Sequence, residues 1–131
     1  MKIAHSQQII GASKGGSALL QCYIEAYPEP FVEWIFGEAR VLVEGGRLNI
    51  SEEVLDWRLG EPVSRRALLT VSGLAAEDYG TYRCQARNNR GRTYGIVSLI
   101  GMHTFAVFLQ ANFSVLDNEN LLLFLLSFSC C

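Results

Sequence analysis

Asp78-Tyr79-Gly80-Thr81-Tyr82-Arg83-Cys84 is the stretch that decides the fold, read together with Cys22 and Trp34 upstream. Trp34 follows the first cysteine by twelve residues, Cys84 follows it by sixty-two, and Tyr82 stands two residues before Cys84. Around these landmarks the chain alternates with the period of a pleated strand. Ala18, Leu20, Cys22 and Ile24 fall on one face and Leu19, Gln21, Tyr23 and Glu25 on the other. Val32, Trp34 and Phe36 alternate inward in the same way, and so do Tyr82, Cys84 and Ala86.

Outward from there, further short strands are expected at turn-separated intervals. An edge strand around Gln8 to Ile10 leads through the turn Gly11 to Gly16 into the first long strand, Ser17 to Ala26. Pro28 and Pro30 hold Tyr27 and Glu29 extended, so the connection to strand Phe31 to Phe36 starts no helix. Arg47 to Ser51 begins another strand, and Glu52 to Pro62, with Trp57, carries the least pattern. Arg66 to Ser72 places the core residues Leu69 and Val71 inward, with Leu74 capping the core. Asn88-Asn89-Arg90-Gly91 is a hairpin turn into the last strand, Thr93 to Ile100. Seven or eight short strands without helical periodicity indicate an all-β sandwich. It forms one domain over residues 1–100, with its core in 15–100, followed by a compositionally separate tail over 101–131.

Composition sets limits on function. The formal net charge is −2 and half the residues are hydrophobic, so neither disorder nor a polyanion-binding surface is suggested by composition. All eleven basic residues precede Gly101 and balance the acids there, and Asp117 and Glu119 in the tail account for the remainder. Gly11-Ala12-Ser13-Lys14-Gly15 fits the letters of a nucleophile elbow, but a β-strand follows it instead of a helix, and the only downstream histidine is His103 in the tail. No catalytic residue is expected. Two histidines at opposite ends give no histidine-based metal site, and no cofactor or small-molecule substrate is implied.

Cys22 to Pro30, Trp34, Asp78 to Cys84, Ala86-Arg87-Asn88 and Gly91 together resemble an I-set immunoglobulin domain, a Greek-key β-sandwich. Glu25-Ala26-Tyr27-Pro28-Glu29-Pro30, with Asn49-Ile50-Ser51 and the Tyr-Gly-x-Tyr-x-Cys pattern, is similar to the third, membrane-proximal domain of lachesin-like and IgLON neural adhesion proteins. The resemblance covers about Gly15 to Ile100. It implies a Cys22–Cys84 disulfide between the sheets with Trp34 packed on it, and a Tyr82 hydroxyl bonded back to the backbone at the corner before its strand. It also implies an Arg47–Asp78 salt bridge across the bottom of the sandwich. A bridge closing so long a loop contributes on the order of 4 kcal/mol and forms in an oxidising compartment. Function then resides in contacts with other cell-surface proteins, homophilic or heterophilic, with this domain one module of a longer adhesion protein.

The residues carry further expectations about the surface. Phe31, Glu33 and Ile35 face outward from one strand and Arg83, Gln85 and Arg87 from its neighbour, a composition suited to protein contact. The alternative is that the arginines lie over Phe31 and Ile35 while Glu33 pairs with Arg83. Arg90 and Arg92 extend the basic edge, but four arginines without interleaved aromatics make a weak case for nucleic acid, and none is expected as a partner. Asn49 and Asn112 begin glycosylation sequons, of which Asn49 is the stronger candidate.

The tail, with apolar Leu121 to Phe128 after a polar spacer, resembles a GPI-attachment signal, with Asn112 as the attachment position. Two alternatives stand beside it: a non-native extension, and lipidation of Cys130 and Cys131. Neither apolar segment of the tail reaches the roughly 20 residues of a membrane-spanning helix. Met1 to Ile10 holds no apolar run of signal-peptide length. Either the sequence is a fragment of a secreted chain, or the domain is an intracellular structural module with reduced thiols, like the I-set domains of giant muscle proteins.

Overall fold

The computed structural model describes residues 2–4, 7–56 and 63–112. Two β-sheets face each other. One holds β1 (Lys2–Ala4), β3 (Ala18–Ala26), β7 (Val63–Val71) and β6 (Leu48–Asp56), in the order β1-β3-β7-β6. The other holds β2 (Gln7–Ala12), β9 (Gly91–Gly101), β8 (Gly80–Asn88), β4 (Phe31–Phe36) and the two-residue β5 (Arg40–Val41), in the order β2-β9-β8-β4-β5. All pairings are antiparallel except that of β2 with β9. The chain alternates between sheets, so neighbours in sequence are often not neighbours in space. Beyond β9 the helix α1 (Met102–Asn112) follows.

The strictest alternation produces the core. In β3 every second residue from Ala18 to Ala26 is buried, and in β8 Tyr82, Cys84 and Ala86 are buried in step with them. Trp34 lies directly opposite Cys84 across the β4–β8 ladder, and a disulfide joins Cys84 to Cys22 on the facing sheet. Leu20, Ile24, Leu69, Val71, Leu74, Val97 and Leu99 close around this centre with almost no exposed surface. Truncating a buried aromatic at such a centre costs about 3–5 kcal/mol. Gly95 makes the close approach of β9 possible, because a Cβ there would sit 3.1 Å from Ile3 and 3.4 Å from the Cys84 sulfur.

Three features go beyond what the pattern shows. The short β1 pairs with β3, so the N-terminal region supplies strands to both sheets. Arg65 has the inward parity of Ala67 and Leu69 and is 7% exposed, with its guanidinium held by Glu29 and by Glu52. The segment from Gly101, expected to leave the domain, begins instead as α1, with Phe105 and Leu109 buried one helical turn apart. Phe105 lies over β2 at Gly11, where even a Cβ would come within 2.5 Å of the ring, so only glycine leaves room for it. The physical reason is local: an apolar i, i+4 pair directly after the last strand finds a face without side chains and packs on it. Trp57 and Pro62 in the weakly patterned segment, and the apolar Leu121 to Phe128 with Cys130 and Cys131, lie outside the described residues.

Candidate functional site

The outward face of the second sheet is built in rows by strand register. In the first row Phe31, Arg87 and Arg92 stand opposite one another on β4, β8 and β9. In the second stand Glu33, Gln85 and Tyr94, and in the third Val41, Ile35, Arg83 and Ile96 across β5, β4, β8 and β9. The β8–β9 loop is only Asn89-Arg90, and the Asn88 side chain fixes it by accepting from the Arg90 amide at 2.8 Å. The same side chain donates to the Pro28 carbonyl at 2.8 Å, tying the hairpin tip to the loop that carries Tyr27.

Three of the four arginines here lie over a ring. The Arg87 guanidinium is 4.9 Å from the Phe31 centroid, Arg83 is 5.6 Å from that of Tyr94, and Arg90 is 5.9 Å from that of Tyr27. Phe31, Tyr94 and Val41 nevertheless remain 55%, 52% and 51% exposed. Glu33 accepts from the Gln85 amide at 3.3 Å and not from Arg83. Among the described residues no carboxylate lies in ion-pair range of Arg83, Arg87, Arg90 or Arg92.

One expected member of this face is corrected. Ile35 points outward by parity but is only 6% exposed, because Val41 and Arg83 flank it directly on both sides and cover it. It supports the face without being available to a partner. Alternation does not mark Tyr27 or Tyr94 as members of this face. Their signal lies in register: once the hairpin is given a two-residue loop, Tyr94 falls beside Gln85 and diagonal to Arg83.

The remaining singled-out residues lie elsewhere. Tyr82 donates its hydroxyl to the Asp78 carbonyl at 2.5 Å, and burial pushes its pKa up to about 12. Arg47 grips the Asp78 carboxylate through both terminal nitrogens, at 2.6 and 3.1 Å, and also donates to the carbonyls of Ser72 and Gly73. Hydrogen bonding to Arg47 holds the Asp78 carboxyl below its ordinary range, and the Ala75 amide adds a bond at 2.8 Å. The same contact raises Arg47. Asn49 is exposed on β6. Asn112 is the last residue of α1.

The letters of a nucleophile elbow at Gly11 to Gly15 are not set in the surroundings that motif requires. Ala12 ends β2, and Ser13 enters a turn closed by the Gly16 amide on its carbonyl, after which β3 begins, so no helix braces the serine. A cleft of about 510 Å³ opens between β4 and β6, but its charged groups, Glu29, Glu52 and Arg65, are engaged with one another. Among the described residues no cluster of histidine, cysteine and carboxylates could hold a metal ion, and no helix is long and apolar enough to cross a membrane.

Two facing sheets, a disulfide between them and a tryptophan opposite it define an immunoglobulin-like sandwich. A family model described as "Immunoglobulin domain" matches residues 2–88, and the chain belongs to that family. It is 31% identical over 83 residues to neuronal growth regulator 1 of Gallus gallus, covering 63% of this chain and 21% of that protein. To lachesin of Schistocerca americana it is 30% identical over 88 residues, covering 67% and 21%. The chain thus spans about a fifth of these relatives. Among solved structures, Dpr2 Ig1-Ig2 in complex with DIP-Theta Ig1-Ig3 is similar with a TM-score of 0.63 and 29% identity, over 76% of this chain and 32% of that one. The M1 domain from titin is similar with a TM-score of 0.59 and 26% identity, over 77% and 95%.

Proposed function

We propose that this domain is a cell-surface adhesion and recognition module of the I-set type, one of several immunoglobulin domains in a longer chain, acting through contact with other proteins. The observation that carries the reading is the outward face of the second sheet, where Phe31, Tyr94 and Val41 stay half exposed among arginines that have no acid partner among the described residues. Arginine and aromatic residues are the types enriched where protein interfaces concentrate their binding energy. The relatives named above support it, as does a similar structure determined as a complex between two such proteins. In this reading the protein is extracellular, Asn49 carries a glycan, Asn112 receives a GPI anchor, and no enzyme activity resides in the chain.

The test is attachment. Beads coated with the 131-residue chain should bind to cell monolayers, and the double variant F31A/Y94A should weaken binding by about tenfold, since truncating interface anchors typically costs that much or more. Equal binding by wild-type and variant beads, or none by either, would remove the face from the account. A second reading, an intracellular structural domain of a giant cytoskeletal protein, is favoured by the similarity to the titin M1 domain. The state of Cys22 and Cys84 in the native protein separates the two.

A further inference from the structure

The first row of the face carries a feature that protein adhesion alone does not require. Arg87 and Arg92 stand directly opposite each other on adjacent strands, a like-charge placement that destabilises a sheet unless something compensates it. Both side chains are exposed and neither has a carboxylate partner among the described residues. Arg83, four residues along β8 from Arg87, lies about 13 Å away at the usual strand rise. Arg90, at the hairpin tip, extends the series at the other end. Glu33 is the only acid in the three rows, and Gln85 holds it. A chain with a net charge of −2 therefore collects four of its eleven basic residues along one hairpin.

The residue type is also selective. All four are arginines, whose planar forks match oxyanions in a bidentate manner, and three of them lie within 6 Å of a ring centroid. They follow the strand direction instead of converging on one pocket. An isolated carboxylate on a partner protein would engage one of them, whereas a linear chain of repeated oxyanions can engage the series.

We propose that this hairpin binds a sulfated polysaccharide laid along β8 and β9, with the Arg87–Arg92 pair as the principal sulfate contact. This ligand is additional to the protein partner and shares the face with it, since Phe31 lies under Arg87 and Tyr94 under Arg83, and the heparin assay, which contains no cells, is read separately from bead attachment. The test uses the 131-residue chain and immobilised heparin, with R87Q/R92Q compared against K14E, which carries the same net charge and alters the exposed turn between β2 and β3. Thermal melting confirms that each variant is folded. The wild type and K14E should bind heparin, whereas R87Q/R92Q should bind at least about tenfold more weakly, taking roughly 1 kcal/mol per arginine at an anionic surface. Its dependence on salt should also fall by the equivalent of about two contacts. The proposal is overturned if the wild type does not bind, or if K14E loses as much as R87Q/R92Q. Equal binding to immobilised polyglutamate would overturn it in favour of an acidic protein.

Discussion

At the scale of single residues, the bottom of the sandwich is held by two groups that titrate at opposite ends of the pH range. Asp78 has a carboxyl lowered by hydrogen bonding to Arg47, so the unfolded chain takes up its proton first as pH falls. Its contribution to stability is present above the ordinary value of 3.8 and is lost as pH drops through the lower folded value. Tyr82 is the reverse case: burial raises it to about 12 from 10, so its contribution is full below pH 10 and is lost as pH rises through 12. Denaturant unfolding of Asp78→Asn should show lower stability than wild type at pH 7, with the difference shrinking as pH falls below 3.8. The advantage of wild type over Tyr82→Phe should likewise shrink as pH rises above 10, because burial penalises the phenolate and phenylalanine does not ionise. A constant difference between Asp78→Asn and wild type across the acid range would show that the Arg47 contact does not act on the carboxylate.

The residue scale is also where the sequence was most and least informative. Alternation put Cys22, Trp34, Tyr82 and Cys84 on inward faces, and the resemblance to an immunoglobulin domain supplied how they meet. Parity was equally sound for Ile35, which does face outward, but parity carries no information about the neighbours that cover it. Arg65 shows the opposite limit. A charged residue at an inward position is intelligible only when Glu29 and Glu52, distant in sequence, are brought beside it.

At the scale of elements, α1 is the part that alternation could not foretell. Its apolar residues form a short run with a weak helical signature, and what makes it pack is the absence of a side chain at Gly11 on another element. Gly11→Ala should therefore destabilise the otherwise wild-type chain, since the new Cβ falls 2.5 Å from the Phe105 ring. Phe105→Ala alone should cost on the order of 3 kcal/mol. In the Phe105→Ala background the Gly11 substitution should cost less, because the ring is gone while the Cβ at 2.7 Å remains, a coupling that a double-mutant cycle reads directly. Simple additivity of the two costs would mean that the helix does not rest on β2. The β8–β9 hairpin was more legible, because Asn88 to Gly91 announces a turn, and its register then fixes which side chains share a face. The rings beneath the arginines had to wait for that register.

For the molecule as a whole, a fold shared with lachesin and with titin does not name its own compartment. The two readings differ in one covalent bond. The sheets are joined by the Cys22–Cys84 disulfide, which closes a 62-residue separation and stabilises by about 4 kcal/mol through restriction of the unfolded chain. Such a bond persists in an oxidising compartment and is rare in the cytosol. The direct measurement is mass spectrometry of the protein isolated from its native source, alkylated at once and digested without reduction. The peptides containing Cys22 and Cys84 should be recovered linked, separating only after reduction. Recovery of both cysteines as alkylated free thiols would contradict the extracellular account and favour the intracellular module.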